Sequence, residues 1–289
     1  MNDVEAMTAV SAPAKPVEAA EAFAAPTIGL WQRAEPAVLG VSGIAALLAV
    51  WEGLPHIVTM REGTKLFFAP PSQVVGTLWN MFATGMVWGP LGVSAAGFAV
   101  GLGLSILVGI PLGVLLGRSR TLNAMFDPFI TAFNATPRLV FLPLVLLWFG
   151  LGLWSKVVIV FFGAVFPLLI NTYEGVRNAD KLLITVVRAF GATEWDIARL
   201  VVVPNALPYI MVGLRLAIGR AVLGVVVSEF FGSNEGLGVI MVQAASQYKV
   251  DVVFAGLIIF TALSLVMTGL VKVLENRFSG WRPQRVSGE

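Results

Sequence analysis

Among the charged side chains within long apolar stretches of the chain, Arg138, Arg220 and Glu229 are the ones that could contact a solute. An ionised group in hydrocarbon is costly, so charges at such positions belong to a binding pathway or to an internal ion pair. The guanidinium group of arginine binds the oxygens of an anion through two parallel hydrogen bonds. The three residues are therefore candidate pathway residues, and Arg138 and Arg220 suit an anionic group such as a sulfonate. The alternative is that the arginines bind helix carbonyl ends or Glu229 and hold helices together.

Two prolines flank the first of these charges. Pro137 immediately precedes Arg138, and Pro143 follows it in the same apolar stretch. Proline removes a backbone donor, which frees a carbonyl group of the preceding turn. Such carbonyls are tolerated in a membrane where they line a cavity. The pattern therefore predicts an opening near Arg138.

A second polar region, residues 186–208, reads VVRAFGATEWDIARLVVVPNALP and lies between two of the most apolar segments. Asn178 or Asp180 can cap a helix that runs to about Phe190. Gly191 then lets the backbone leave that helix. The pattern predicts the first arm of a helical hairpin.

The second arm is predicted to be another short helix. Thr193 and Asp196 have the spacing of a capping box, which marks a helix start. Pro204 and Pro208 bracket the entry to the next apolar segment. Proline is tolerated at a helix start and disfavours helical geometry in the residue before it.

The hairpin carries apolar side chains although it is too polar to cross a membrane. They are Leu183, Val187, Phe190, Trp195 and Ile197. Exposed apolar side chains rimmed by charge suit a groove on a partner protein. They equally suit a hairpin that rests on lipid headgroups, and the residues alone leave both interpretations open.

The elements that position these residues follow from the composition. Of the 289 residues, 57% are hydrophobic and 12% are charged, and the mean hydropathy is +0.85. Soluble domains are about 45–50% apolar and about 25% charged. The chain is therefore predicted to be an all-α integral membrane protein in contact with membrane lipid. A net charge of +2 does not indicate a surface that binds nucleic acid.

Several kinds of chemistry are excluded by residue content. The chain has no cysteine and a single histidine, His56, so it has no disulfide, thiolate metal site or zinc-binding set. It contains no G-x-x-x-x-G-K-[ST] loop to hold nucleotide phosphates. No catalytic residue and no metal ligand is therefore assigned, and the chain is not expected to be an enzyme.

Six apolar segments are long enough to cross a bilayer, which needs about 20 residues in a helix. They are residues 37–55, 89–117, 124–150, 156–174, 205–231 and 252–274. An amphipathic helix at the membrane surface is predicted after Pro71. Residues 1–35 are predicted to be a disordered cytoplasmic tail, residues 36–277 the transmembrane domain, and residues 278–289 a second cytoplasmic tail.

Lysine and arginine are distributed unequally between the two sides of these spans. Twelve of the 19 lie at the two ends of the chain or in the loops 118–123 and 175–204. Four lie on the other side, Lys156 among them, and three lie within spans. Cytoplasmic loops are enriched in Lys and Arg, so both termini and the hairpin are predicted to be cytoplasmic.

Glycines recur at intervals of four within the second span. They are Gly97 and Gly101, then Gly109, Gly113 and Gly117. Small residues at this spacing let two helices approach closely in lipid, so the series predicts a helix–helix contact face. Packing within one subunit is favoured over a moving interface between subunits.

The hairpin resembles part of a known family signature. Gly191, Val201, Val203 and Pro204 match the second half of the EAA signature of binding-protein-dependent ABC importer permeases, which reads Gly, nine residues, Ile, one residue, Leu-Pro. The stretches TPRLVFLPLVLLWFGLG, GLRLAIGRAVLGVVVSEFFG and EGLG are similar to the branch that carries sulfonates, taurine and nitrate. The likeness covers roughly residues 65–275.

The resemblance implies a type I ABC importer permease fold with six transmembrane helices and a cytoplasmic coupling hairpin. It implies two ABC ATPase subunits, a periplasmic or extracellular substrate-binding protein and a second permease copy as partners, in the bacterial inner (plasma) membrane. ATP and Mg would be used by the ATPase, and no cofactor by this chain. The implied coupling residues are Thr185, Arg188, Ala189, Phe190, Gly191, Ala192, Trp195, Val201 and Pro204.

One position departs from the family pattern. The glutamate of the signature falls at Thr185, so one charged contact with the ATPase is absent there. Docking is then expected to depend on packing of Phe190 and Trp195 and on Arg188.

The competing class is a secondary transporter or channel that works without an ATPase. That class is typically built from inverted repeats with buried carboxylates for a coupling ion. The sequence shows no convincing repeat, and its membrane carboxylates, Glu52 and Glu229, lie near span ends. An importer permease that moves its solute by alternating access is therefore favoured.

Overall fold

The computed structural model describes residues 30–57 and 67–278, except for the side chains of residues 30–34, 36, 37, 56, 138, 139 and 278. Within these ranges the chain is helical and contains no strand. It divides into two compact units between Ile57 and Val58. Residues 1–29 and 279–289, which make up most of the two predicted tails, lie outside the described residues.

The described part of the first unit, residues 30–57, is one helix, α1 (Leu30–Ile57). It includes the predicted first span and begins within the segment 1–35 that was expected to be a tail. Apolar side chains along it, such as Leu39 and Val41, are exposed. A helix with an exposed apolar surface of this length suits a lipid environment.

Residues 67–278, the described part of the second unit, form ten α-helices, and their bounds follow in chain order. They are α2 (Pro71–Ala83), α3 (Trp88–Arg118), α4 (Arg120–Ala135), α5 (Leu142–Phe149), α6 (Leu153–Arg177), α7 (Lys181–Ala189), α8 (Glu194–Ile197), α9 (Val203–Gly232), α10 (Leu237–Ser246) and α11 (Val250–Phe278). A 3-10 turn, Arg138–Phe141, precedes α5, and a π-helical segment, Ala198–Val202, joins α8 to α9.

Across the described residues of both units, five helical stretches are long and apolar enough to cross a membrane. They are Val38–Pro55, Trp88–Arg118, Leu153–Arg177, Glu194–Gly232 and Val250–Arg277. Half of the most apolar window of Leu153–Arg177 is buried, the largest share of the five. Helix α6 is therefore the centre of the second unit.

The glycine series of α3 packs against α6. A Cβ atom at Gly101 would lie 2.6 Å from Val160 Cβ, and one at Gly113 would lie 2.6 Å from Thr172 Cβ. A Cβ atom at Gly117 would lie 2.6 Å from Val176 Cβ. The contact residues recur every fourth position on both helices, so the two backbones approach closely along their length. The predicted contact face is confirmed, and it lies within one chain.

Helix α9 packs on the other side of α6 by the same means. A Cβ atom at Gly163 of α6 would lie 3.0 Å from the carbonyl oxygen of Arg220. One at Gly224 of α9 would lie 3.0 Å from Val160 Cα. Val160 is fully buried between the two neighbours. Helices α3, α6 and α9 therefore form the core in which the functional side chains are positioned.

The predicted span 124–150 is not one continuous helix, and among the described helices it is not one of those long enough to cross a membrane. Helix α4 ends at Ala135, and Thr136 has an extended backbone with φ −72° and ψ 131°. Its extended geometry follows from Pro137, whose ring disfavours helical geometry in the preceding residue. A 3-10 turn and the eight-residue helix α5 complete the segment.

The helix predicted after Pro71 is present as α2. Val74 and Met81 are buried, whereas Val75 and Trp79 on the opposite face are exposed. The hydroxyl group of Thr77 donates a hydrogen bond to Asp251 Oδ2 at 2.5 Å, which joins α2 to α11. The position of α2 at the membrane surface stays a prediction.

Candidate functional site

The first arm of the hairpin has the predicted caps. Asp180 Oδ1 accepts hydrogen bonds from the backbone N–H groups of Leu182 at 2.8 Å and Leu183 at 3.4 Å. Helix α7 ends at Ala189, and Gly191 has φ +84°. That left-handed conformation favours glycine because it has no Cβ. The sequence prediction of this arm and its turn is confirmed.

The start of the second arm is also confirmed. The backbone N–H of Asp196 donates to Thr193 Oγ1 at 3.2 Å, and the backbone N–H of Thr193 donates to Asp196 Oδ2 at 2.9 Å. These are the reciprocal bonds of a capping box. The cap fixes the direction in which the chain leaves the turn.

The sequence analysis expected the second arm to be a separate short helix that ends before the next span, and that prediction is wrong. Helical structure continues from Glu194 to Gly232 through the π-helical segment Ala198–Val202. Pro204 lacks an N–H, and its ring would clash with the carbonyl group four residues earlier in a regular helix. A wider turn just before this proline relieves that clash, and π segments of this kind recur at functional sites.

One carboxylate joins the hairpin to the end of α3. Glu194 Oε1 accepts from Arg188 Nη2 at 2.7 Å, and Glu194 Oε2 accepts from Arg118 Nη2 at 3.0 Å. All three side chains are partly exposed, so each contact is modest in energy. The sequence analysis did not single out Glu194. Its charge was visible, but its proximity to Arg118, 76 residues away, was not.

The tip of the hairpin exposes large apolar side chains. Phe190 is 88% exposed and Trp195 is 72% exposed. Thr185, Arg188, Ala189 and Gly191 are exposed as well, Ala192 and Pro204 are half-buried, and Val201 is buried. These nine residues are the ones that the sequence assigned to coupling. Six of them are therefore available to a partner.

Ile197 differs from its expected role as an exposed apolar group. It is 2% exposed and packs in a small core with Val176, Ala179, Val202 and Ala206. Val187 is half-buried against the same core. These side chains hold the hairpin on the ends of α6 and α9 instead of offering a surface.

A cavity of about 340 Å³ lies beside the break in the chain after α4. Arg220 contributes to its wall from α9, and Thr136 and Pro137 contribute from the break. The remaining lining residues are Asn134, Ala135, Leu142, Ile159, Gly163, Leu223, Gly224 and Val227. Arg220 is exposed, and it has no hydrogen bond or ion pair with any residue that the structure describes.

The two other candidate pathway residues lie in different surroundings. The backbone of Arg138 is in the 3-10 turn next to the cavity wall, and its side chain is outside the described structure. Glu229 is 2% exposed and does not line the cavity. The structure therefore brings Arg220 and the Pro137 break together and sets Glu229 apart.

Glu229 is paired with a residue that the sequence analysis placed on the outer side of the membrane. Lys156 is fully buried, and its Nζ lies 2.5 Å from Glu229 Oε1. Among the described side chains, Glu229 forms no ion pair with Arg220, and its pairing with Arg138 stays a prediction because that side chain is outside the described structure. Lys156 is the first residue of a predicted span, so the sequence analysis assigned it to the outer side and did not predict that it is buried. The signal that could have found it is Gly97, whose missing side chain makes room for the lysine stem.

Two opposite regions thus define the molecule. One is a helical hairpin with exposed aromatic side chains, and the other is a core of closely packed apolar helices with a lined cavity and a buried ion pair. Helices of this length and apolar composition are typical of multi-pass membrane proteins.

The chain belongs to the family described as "Binding-protein-dependent transport system inner membrane component", whose pattern matches residues 109–280. It is 29% identical to the taurine transport system permease protein TauC of Escherichia coli over 87% of this chain and 92% of that protein. It is 33% identical to the putative aliphatic sulfonates transport permease protein SsuC of Bacillus subtilis over 82% of this chain and 85% of that protein.

Solved structures show the same fold. A chain of the MetNI methionine ABC transporter superposes with a TM-score of 0.56 at 23% identity, covering 64% of this chain and 92% of that one. A second crystal form gives a TM-score of 0.55 and covers 76% of this chain. The protein is therefore a multi-pass permease subunit of a binding-protein-dependent ABC transporter, similar to permeases of the sulfonate and taurine branch.

Proposed function

We propose that this chain is the membrane subunit of an ATP-driven importer for small anionic solutes of the sulfonate and taurine type. The names of its relatives support this solute class. Arg220 carries the proposal within the chain, because an exposed and unpaired guanidinium group lines an otherwise largely apolar cavity. A cation in such a site attracts an anion and costs free energy when the site is empty.

The hairpin is the proposed contact with the ATPase. Its exposed Phe190 and Trp195 suit an apolar groove on a cytoplasmic partner. A cavity of about 400 Å³ on its flank is lined by Leu183, Val187, Leu200 and Pro204 among others. The continuous helical path from Glu194 to Gly232 supports a mechanical role, since movement of the tip is carried directly into α9. Thr185 offers only a hydroxyl group, which already donates to the carbonyl of Lys181 at 2.9 Å.

Membership of the family supports the following proposed assembly. Two ATPase subunits bind ATP and Mg, a separate binding protein delivers the solute from outside, and a second permease copy completes the pathway. The segments α4 and α5 together count as the third of six spans in this arrangement, broken at Thr136 and Pro137. Both termini and the hairpin face the cytoplasm of a bacterial cell, as the distribution of Lys and Arg indicates.

Uptake in proteoliposomes tests the proposal. The permease is purified together with its proposed partner ATPase and binding protein, and uptake of labelled taurine and of an aliphatic sulfonate is measured with and without internal ATP. Accumulation is expected only with ATP and the binding protein. Accumulation driven by an ion gradient in the absence of ATP would identify a secondary transporter and overturn the proposal.

The solute class has its own control in the same vesicles. A neutral analogue that lacks the sulfonate group is expected to compete poorly when it is offered at the same concentration. Competition by cationic solutes in place of sulfonates would contradict the role of Arg220 while leaving the ATP requirement intact.

A further inference from the structure

Four helices meet at one buried carboxylate. Glu229 of α9 accepts hydrogen bonds from Ser94 Oγ of α3 at 2.7 Å, from Lys156 Nζ of α6 at 2.5 Å and from the backbone N–H of Gly238 in α10 at 2.8 Å. The backbone N–H of Leu237 donates to Ser94 Oγ at 3.0 Å. Every one of these groups is buried.

Glu229, Lys156, Ser94 and the first backbone N–H groups of α10 form a buried cluster around this carboxylate. Both charged side chains have no exposed area, so neither is stabilised by solvent and each depends on the other. The stem of Lys156 passes over Gly97, where any Cβ atom would overlap it. Gly236 has φ +133°, and a Cβ atom there would overlap the carboxylate of Glu229. Two glycines therefore leave the space that the ion pair occupies.

The partner of the carboxylate is the start of a short helix. Helix α10 has ten residues, and Gly236, which precedes it, has no side chain to cap it. Its first backbone N–H groups are satisfied by Glu229 and Ser94, which come from other helices. A carboxylate at this end of a helix also interacts favourably with the helix dipole. The position of α10 thus depends on side chains outside it.

We propose that Glu229 is a positioning residue that fixes α10 to the outer ends of α3, α6 and α9, with Lys156 neutralising its buried charge. This inference rests on the proposed function, because the orientation proposed there, with the hairpin in the cytoplasm, places α10 at the outer end of the pathway. With the cluster intact, α10 moves together with α9 when the mouth opens and closes. With the cap lost, α10 separates from α9, and ATP hydrolysis continues without matching uptake.

Two double variants separate this role from plain stability. Lys156→Met with Glu229→Leu removes both charges and the cap, whereas Lys156→Met with Glu229→Gln removes both charges and keeps an acceptor for the Gly238 N–H. Removing both members of a buried pair leaves no uncompensated charge, so both variants are expected to assemble. Each is made in the full complex with its ATPase and binding protein.

The position of α10 is measured by cysteine labelling, since the chain contains no native cysteine. Ala244→Cys is the reporter because Ala244 is 5% exposed, and Ser246→Cys is the exposed control. Labelling of Ala244→Cys by a membrane-impermeant maleimide is expected to be about tenfold faster with Leu at 229 than with Gln, the factor for losing a hydrogen bond to a polar partner. Uptake per ATP hydrolysed is expected to be lower with Leu at 229 than with Gln by a similar factor.

Equal labelling and equal uptake per ATP in the two double variants would overturn the proposal. If the Leu variant does not assemble, Ser94→Ala replaces it, because that change removes one contact to Glu229 and one to Leu237 and leaves the ion pair. Unchanged labelling in Ser94→Ala would also overturn the proposal. Failure of the proposed function is seen separately, as uptake without ATP in the reporter chain that carries no change at 156 or 229.

Discussion

Arg188 and Glu194 lie on opposite arms of the hairpin and form an ion pair with an Nη2–Oε1 distance of 2.7 Å. The second oxygen of the same carboxylate binds Arg118 at the end of α3. The hairpin is thereby closed across its turn and tied to the helix that packs along α6. A force applied at the tip therefore reaches both α3 and α9.

Glu194→Gln is expected to weaken this tie without unfolding the protein. Exposed ion pairs contribute about 0.2–1 kcal/mol each, so the melting temperature should change little. Uptake per ATP hydrolysed should fall several-fold because the tip moves more independently of α3. The matched control is Glu174→Gln, an exposed glutamate near the end of α6. Equal uptake per ATP in the two variants would contradict the proposed tie.

Trp195→Ala is expected to weaken binding of the ATPase. A buried aromatic anchor at an interface is worth about 2 kcal/mol or more when it is truncated, which is about thirtyfold in affinity. Titration of detergent-solubilised permease with the ATPase measures this affinity directly. Trp154→Ala is the control, because Trp154 is 63% exposed near the start of α6, away from the hairpin. Similar losses in both variants would show that the hairpin is not the docking surface.

Arg220→Gln is expected to reduce uptake of sulfonates while leaving assembly and basal ATP hydrolysis in place. The side chain is exposed and makes no ion pair with the described residues, so its loss leaves no charge unpaired. A charge-assisted hydrogen bond to an anion is worth about 1.5–3 kcal/mol, which predicts at least a tenfold loss in uptake at low substrate. The control is Arg215→Gln on the same helix, α9, which breaks the ion pair between Arg215 and Glu275 of α11. Sulfonate uptake that is reduced equally in both variants would exclude a specific role for Arg220.

Local signals in the sequence predicted the hairpin well. The caps at Asp180 and Thr193 and the turn at Gly191 depend on residues within a few positions of one another. The same holds for the glycine series of α3, whose spacing of four is a property of one helix. Each of these features could be read without knowing which helices are neighbours.

Contacts between residues that are far apart in the sequence could not be predicted from such local signals. Lys156 and Glu229 are 73 residues apart, and only the packing of α6 against α9 brings them together. The break at Pro137 was visible as a proline, but its size was not, because prolines such as Pro111 and Pro167 lie inside continuous helices. Both helices continue through their prolines, so the presence of a proline does not by itself predict a break.

The close approach of α3 and α6 gives a final prediction with an internal control. Gly101→Val places a Cβ atom 2.6 Å from Val160 Cβ, whereas Gly103→Val meets nothing within 4 Å of its Cβ. Overpacking of a tight core costs about 1–3 kcal/mol. The melting temperature of the purified permease should therefore fall clearly for Gly101→Val and change little for Gly103→Val. Similar melting temperatures for the two variants would mean that α3 and α6 are not in the described close contact. A compensating change of Val160→Ala is expected to recover only a small part of the loss, because it removes Val160 Cγ1 and leaves Val160 Cβ at 2.6 Å from the new Cβ.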